Sequence, residues 1–328
     1  MPESHAIARS LPAGLQPEDV VACQGILGAG SKSFAAASLL LPARVREPAA
    51  VCYAFCRVAD DAVDEGDDVD AAVAGLHARL DRIYRGQPDD DPVDRSLAVV
   101  VRDHELPEAV LRALLEGFAW DAEGRRYRTL DELEAYCARV ASTVGVIMTL
   151  LMGSRDPDVL ARACDLGLAM QLTNIARDVG EDARSGRVYL PLDWLAEAGL
   201  DVDELLREPR FSPALGQMVQ RLLDVADGYY RRADLGIRQL PRDSRTAIRA
   251  ARLIYSDIGR VIAHHQFDSV SQRAYTSKAR KLWLLLRASA ATLWFRRRCD
   301  EPARPAVRFL VDAAADRTGS ARAVVVAS

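Results

Sequence analysis

Apolar residues recur along the chain at the three- and four-residue spacing of α-helices, and alternating, strand-like stretches are scarce. Alanine, leucine and arginine dominate, and all three favour helices. The pattern therefore predicts an all-α protein. The predicted helices begin near residues 17–19 and continue over 48–66, 70–84, 94–104, 108–124, 130–152, 157–179, 213–236, 242–270 and 278–298.

The segments between these helices are short, with loops expected at 86–92, 153–157 and 180–191. Without a long linker, we predict a single domain over residues 1–300 and a loosely held tail over 301–328. The amino terminus lacks the continuous apolar segment of a secretory signal. No apolar run approaches the roughly 20 residues that span a bilayer, so any membrane contact is expected from one side.

A polar stripe follows one face of the apolar helix predicted over 48–66. Tyr53, Arg57, Asp60 and Asp64 stand at i, i+4, i+7 and i+11, which places them in one line. Buried carboxylates are costly unless they are paired or bind metal, so the stripe is expected to face a wet cavity that holds cations. Taken alone, this acidic cluster is more often a solvated helix end.

A second helix repeats the design. Gln171, Asn174, Asp178 and Asp182 stand at i, i+3, i+7 and i+11, with Arg177 beside them. Two such stripes supply the oxygen ligands that Mg²⁺ prefers, while the arginines suit phosphate oxygens. The repetition favours a metal and phosphate site over a solvated face.

Two further segments fit anion binding more weakly. The tetrapeptide of Ser31, Lys32, Ser33 and Phe34 follows a glycine turn and precedes an apolar segment, where a helix start would favour anions. Arg273 lies in the basic and aromatic stretch 273–278, whose alternative interpretation is a solvated helix start.

Composition narrows the classes of partner. The net charge of −4 and the pI near 5.8 give no general basic field, so nucleic acid is not expected. The six cysteines are scattered without metal or disulfide spacing, which fits a reduced, cytoplasmic setting.

Six segments in this order resemble the squalene and phytoene synthase family of head-to-head prenyltransferases, over about residues 25–290. They read SKSF, YAFCRVADDAVDE, YCARVASTVG, QLTNIARDVGED, GRVYLP and RAYTSK. The third, with Ser142 where many relatives carry glycine, and the run 186–191 are most similar to the phytoene synthase branch. The resemblance implies an isoprenoid-synthase helical bundle with a central cavity.

The resemblance also implies an activity: Mg²⁺-dependent condensation of two geranylgeranyl diphosphates, through a cyclopropyl diphosphate, to 15-cis-phytoene in carotenoid biosynthesis. Mn²⁺ is the alternative metal that the resemblance allows, and NADPH is not expected. The metal ligands would be Asp60, Asp61, Asp64, Asn174, Asp178 and Asp182. The diphosphates would meet Ser31, Lys32, Ser33, Arg57, Arg177, Arg273 and Gln171. Four aromatic residues would lie near the reacting carbons: Phe34, Tyr53, Tyr136 and Tyr255. Three apolar residues would line the prenyl tunnel: Val140, Val144 and Leu168. Tyr136, Tyr255 and released diphosphate all stay open as the proton acceptor.

Three alternatives remain. The nearest is a C30 squalene or dehydrosqualene synthase acting on farnesyl diphosphate, and the lack of a dinucleotide fingerprint does not exclude it. A terpene cyclase also uses an acidic DDxxD motif, but its second metal motif differs from DVGED. A helical interaction protein without catalysis is the third. Because the expected substrates and product are lipids, peripheral membrane contact is expected, with 278–298 as the candidate surface or, equally, a core helix.

Overall fold

The computed structural model describes residues 14–30, 38–64, 68–290, 299 and 301–316. Within these ranges the regular structure is helical and no strand is present, so the predicted all-α class is confirmed. The α-helices are α1 Pro17–Gly30, α2 Ala43–Asp64, α3 Val69–Tyr84, α4 Pro92–Asp103, α5 Glu108–Ala122, α6 Leu130–Cys137, α7 Thr143–Leu151, α8 Pro157–Arg184, α9 Leu192–Glu197, α10 Val202–Arg207, α11 Pro213–Ile237, α12 Arg242–His264, α13 Lys278–Ala290 and α14 Arg308–Ala315. A π-helical turn, Ala138–Ser142, joins α6 to α7.

Several helix starts are fixed by local chemistry. α4, α8 and α11 each begin with a proline, whose missing N–H lies where no intrahelical bond is needed. The residue before each proline caps the helix: the side chains of Asp91, Asp156 and Ser212 accept hydrogen bonds from backbone N–H groups of the first turn. The starts of α8 and α11 agree with the sequence prediction, whereas α4 begins at Pro92, two residues before the predicted position.

Helix α8 is the centre of the bundle. It packs most extensively against α11 and also contacts the π-helical turn, α7, α12 and α14. Its buried positions include Leu160, Leu168 and Leu172, all fully shielded from solvent. At 28 residues it is about 42 Å long. The second aspartate stripe is thus carried by the helix with the most extensive packing.

Two predicted helix ends are wrong for reasons that lie outside the helix. α8 continues beyond residue 179 to Arg184, because Gly180 is needed for close approach: a Cβ there would lie 2.6 Å from Val270 Cα. α12 ends at His264 instead of residue 270, since Gln266 and Phe267 adopt positive φ angles of 55° and 61°. Neither position carries the glycine that usually marks such a turn.

Other differences concern α2, the connections and the tail. α2 begins at Ala43 and contains Pro48, which was predicted to open it. Within the predicted loop 180–191 the first residues are helical, and α9 and α10 follow unpredicted. The segment expected to form a loose tail from residue 301 packs in part on the bundle, because α14 buries Leu310, Val311 and Ala314 against α5, α7 and α8.

The continuous helical segment from α6 to α7 is apolar enough to cross a membrane by length and composition. Most of its apolar window, 61%, is buried inside the bundle. A core helix passes the same test, and packing of this segment against α5 and α8 accounts for its apolar character.

Candidate active site

A cavity of about 250 Å³ runs along one face of α8. The π-helical turn and α7 form one wall, α11 and α12 form the other, and Ser38 and Leu41 close it before α2. Most lining side chains are apolar, including the predicted Val140 and Val144. The cavity is therefore suited to a long hydrocarbon chain.

Polar residues gather at one end of this cavity. Gln171 and Asn174 line it from α8, and the Asn174 side-chain amide donates a hydrogen bond to Gln171 Oε1 at 3.3 Å. Tyr255 lines it from α12. Burial raises the pKa of the Tyr255 hydroxyl, against the opposing influence of nearby Arg177. The polar end thus adjoins the second aspartate stripe.

Two arginines hold Asp178. Arg177 Nε donates to Asp178 Oδ1 at 2.8 Å, and Arg273 donates through Nε to Oδ1 at 2.8 Å and through Nη2 to Oδ2 at 3.3 Å. Arg273 Nη1 also lies 3.0 Å from Glu181 Oε2. Arg273 is distant in sequence, and the turn after α12 brings it to α8. The predicted cluster of Arg177, Asp178 and Arg273 therefore exists in the fold.

Asp182 lies one helical turn beyond Asp178. Burial, followed by the negative charges of Asp178 and Glu181, raises the pKa of Asp182 to about 7. Asp121 adds a further negative charge from α5. A cation near these carboxylates would remove the electrostatic cost of ionising Asp182.

The first aspartate stripe is organised in the same way. Arg57 Nε donates to Asp61 Oδ2 at 3.0 Å, and Arg57 Nη1 donates to Asp60 Oδ2 at 3.3 Å. Burial raises the pKa of Tyr53, and its electrostatic neighbours include Arg57, Asp60 and Tyr255. Tyr53 of the first stripe therefore lies within electrostatic range of Tyr255, which lines the polar end of the cavity.

The donors fit a hard divalent cation, since carboxylate and amide oxygens are the ligands that Mg²⁺ takes. Among the side chains that the structure describes, no three histidine, cysteine or acidic groups converge to form a metal site. The Asp64 side chain and residues 31–34, with the predicted Ser31, Lys32, Ser33 and Phe34, lie outside the described residues. The metal-ligand assignments stay predictions.

Two predicted residues lie away from the cavity. Leu168 is fully buried in the core, because the cavity-facing positions of α8 recur at three- and four-residue spacing and residue 168 falls on another face. Tyr136 is also buried and is absent from the described lining; its hydroxyl donates to Asp121 Oδ2 at 2.6 Å. Leu168 therefore does not line the described cavity, and Tyr136 lies outside its described lining, in contact with Asp121.

The residues around Tyr136 form a group that the sequence did not reveal. Tyr189 donates to the other oxygen of Asp121, Oδ1, at 2.7 Å. The rings of Tyr127 and Tyr189 stack on Tyr136 at centroid distances of 5.1 and 5.3 Å. Asp121 lies at the end of a helix without any distinctive spacing, and Tyr189 was not singled out within the segment GRVYLP. Asp121 thus binds two members of the tyrosine stack and also adds to the negative charge around Asp182.

Close backbone contact shapes the cavity wall. A Cβ on Gly167 would lie 2.6 Å from Ser142 Cα and 2.7 Å from Ala141 O, and a Cβ on Gly145 would lie 2.5 Å from Ala163 O. Across this contact, the Ser142 hydroxyl donates a hydrogen bond to Cys164 O at 2.9 Å. Only glycine lets α8 approach the π-helical turn this closely.

Comparison with known proteins identifies the family to which this chain belongs. A model of the squalene/phytoene synthase family matches residues 27–280. The chain belongs to the squalene/phytoene synthase family. This squalene/phytoene synthase family member is 52% identical over 307 residues to the phytoene synthase of Rhodobacter capsulatus, covering 91% of each chain. It is 51% identical to the phytoene synthase of Cereibacter sphaeroides, covering 90% of this chain and 88% of the relative.

Solved structures agree in fold. A crystal structure of a dehydrosqualene synthase with ligand superposes with a TM-score of 0.76 at 32% identity, covering 83% of this chain and 96% of the other. A squalene synthase from Alicyclobacillus acidocaldarius superposes with a TM-score of 0.74 at 24% identity, covering 80% and 98%. The predicted family, isoprenoid-synthase fold and prenyltransferase class are confirmed.

Proposed function

We propose that this enzyme is a 15-cis-phytoene synthase, which joins two geranylgeranyl diphosphates head to head through a cyclopropyl diphosphate in carotenoid biosynthesis. The observation that carries the proposal is the 52% identity to a phytoene synthase over 91% of both chains. A 45% identical relative over 265 residues, from Paracoccus, carries the name 15-cis-phytoene synthase.

The arginines around the two stripes suit the diphosphates. Three arginines pair with aspartates in this structure: Arg57, Arg177 and Arg273. A bound diphosphate could take the place of an aspartate as the arginine's partner, while a divalent cation binds the aspartate, so that no charge would be left unpaired. Divalent cations held by Asp60, Asp178 and Asp182 would stabilise the negative charge that grows on the departing diphosphate. The raised pKa of Asp182 fits a site designed to carry a cation.

The apolar cavity suits the carbon chains and the cationic intermediates. Valine, methionine and leucine side chains exclude water that would quench an allylic cation. Tyr255 lines the polar end, where its ring face and hydroxyl can meet the reacting carbons. Because Tyr136 lies outside the described lining, the geometry favours Tyr255 or the released diphosphate as the acceptor of the final proton.

The test is product analysis of the purified protein. With Mg²⁺ and geranylgeranyl diphosphate, we expect phytoene, and its yield should not depend on NADPH. Farnesyl diphosphate, with and without NADPH, is the competing substrate. A C30 product from farnesyl diphosphate and none from geranylgeranyl diphosphate would refute the proposal in favour of a C30 synthase.

Matched acidic variants test the site. Asp178→Ala should abolish product formation, while Asp227→Ala, an exposed position on α11 away from the described lining, should leave it unchanged. Equal activity of both variants would refute catalysis at the stripe, and this outcome is the one that the non-catalytic alternative predicts.

We further infer that the enzyme works in the cytoplasm and contacts a membrane surface with α13, where it releases its lipid product. Leu282, Trp283 and Leu286 are exposed by 60%, 47% and 64%, and the guanidinium of Arg280 lies 4.4 Å from the Trp283 ring centroid. Together with Lys278, this face combines apolar side chains and cations, as membrane-surface helices do. Co-sedimentation should occur with anionic vesicles and weaken for a Leu282→Asp variant; equal binding of both proteins would refute the inference.

A further inference from the structure

The end of the cavity opposite the aspartates contains a feature that the proposed reaction does not use. Arg162 is the one charged side chain among the described lining residues, and it is 2% exposed. It precedes Asn174 by twelve residues on α8, so about 18 Å of helix separates it from the polar end. A diphosphate at the aspartates would direct its hydrocarbon tail toward Arg162.

The guanidinium of Arg162 is held away from the cavity. Its Nε lies 3.0 Å from Asp165 Oδ2, Nη1 donates to Cys299 Sγ at 2.6 Å, and Nη2 donates to Pro302 O at 3.4 Å. Arg232 binds the same Asp165 oxygen at 3.0 Å. With its head fixed, Arg162 is left to contribute its aliphatic stem to the cavity wall.

The stem in turn rests on a glycine. A Cβ on Gly236 of α11 would overlap Arg162 Cβ and lie 2.8 Å from Arg162 Cγ. Both residues line the cavity. The position of the stem therefore depends on the absence of a side chain at residue 236.

We infer that Arg162, seated on Gly236 and fixed by Asp165, forms the rigid part of the end wall of the prenyl cavity, beside Val159, and limits the longest chain that the enzyme accepts. This inference rests on the proposed function. A longer chain would have to detach Arg162 from Asp165 and leave a buried carboxylate with weaker compensation, which is strongly unfavourable. The wall therefore resists displacement better than a purely apolar one, whose side chains can change rotamer.

Chain-length preference tests the inference. Gly236→Ala must displace the Arg162 stem, so we expect the kcat/KM for geranylgeranyl diphosphate relative to farnesyl diphosphate to fall by about tenfold or more, the range for a small change in pocket length. Gly228→Ala is the matched control on the same helix, since its Cβ would meet only Arg231 Nη2, at 3.9 Å. Its ratio should stay within about twofold of the unmodified enzyme's.

A second variant, which enlarges the cavity, keeps the inference testable if circular dichroism shows that Gly236→Ala does not fold. Arg162→Met combined with Asp165→Asn removes the guanidinium and its buried counter-charge together, and should permit turnover of a C25 prenyl diphosphate. Unchanged chain-length profiles in the folded variants, with the unmodified enzyme making phytoene, would overturn the end wall and leave the proposed function standing. An unmodified enzyme inactive on the C20 diphosphate would instead overturn the proposed function.

Discussion

The contact of Gly167 with the π-helical turn offers a sharp test of the packing that builds the cavity. A Cβ at residue 167 would lie 2.6 Å from Ser142 Cα. Carbon atoms ordinarily pack at about 3.5–4.0 Å, so α8 and the turn would have to separate by about 1 Å in Gly167→Ala. Because the obstructing atoms belong to the backbone, no side-chain rotation can relieve the contact.

The expected free energy follows from two opposing contributions. Overpacking of this kind costs about 1–3 kcal/mol, while replacing a helical glycine with alanine gains about 0.5–1 kcal/mol. Gly167→Ala should therefore lose up to about 2.5 kcal/mol of unfolding free energy, with a mid-range value of about 1 kcal/mol. Gly75→Ala on α3 gains the helical contribution alone, because its Cβ would meet no atom within 4 Å.

Urea unfolding followed by circular dichroism measures both variants. The midpoint should fall for Gly167→Ala and rise slightly for Gly75→Ala, with unchanged slopes. Turnover of geranylgeranyl diphosphate should also fall for Gly167→Ala, because the displaced turn carries the cavity residue Val140. If Gly167→Ala were as stable as Gly75→Ala, the close approach of α8 to the turn would be refuted.

Three further predictions concern the carboxylates and their partners. In Mg²⁺-free buffer, folded Asp182 holds its proton up to about pH 7 while an unfolded aspartate loses it near 3.8, so this group lowers stability as pH rises through that interval, by up to about 4 kcal/mol. Asp182→Asn should flatten that part of the stability profile in thermal unfolding; an unchanged slope would contradict the raised pKa. Tyr136→Phe and Tyr189→Phe each remove one hydrogen bond from Asp121 and should each cost about 1–3 kcal/mol in urea unfolding, with neutrality of both contradicting the shared carboxylate. Arg273→Lys keeps the charge but loses the two-pronged contact, so steady-state kinetics should show a higher KM for the diphosphate than in the unmodified enzyme, and an unchanged KM would contradict phosphate binding there.

The sequence predicted the two stripes because helical spacing alone places their members on one face. Asn174 and Gln171 do line the cavity, and Arg177 contacts Asp178. The sequence also predicted the helix starts at Pro157 and Pro213. In the structure, a capping side chain directly precedes each of these prolines. Local chemistry was sufficient for these features.

Features that depend on distant residues were not predictable in this way. Arg162 and Asp165 stand at helical spacing on α8, so their pairing follows from the sequence. Arg232, the second arginine that pairs with Asp165, lies on α11, and only the fold brings it to α8. Asp121 resembles an ordinary acidic helix end until Tyr136 and Tyr189 meet it. Such roles arise from tertiary contacts, which periodicity cannot encode.

The π-helical turn Ala138–Ser142 has an evolutionary consequence. A π-helical turn contains one residue more than the α-helical path that it replaces, so it is equivalent to a single-codon insertion. Deleting one residue there would rotate α7 against α6 by about 100°. Tyr136 could then meet Asp121, or Val144 could face the cavity, but a straight helix could not satisfy both. The insertion lets one length of chain serve the carboxylate network and the lipid cavity, and selection can tune the two ends separately.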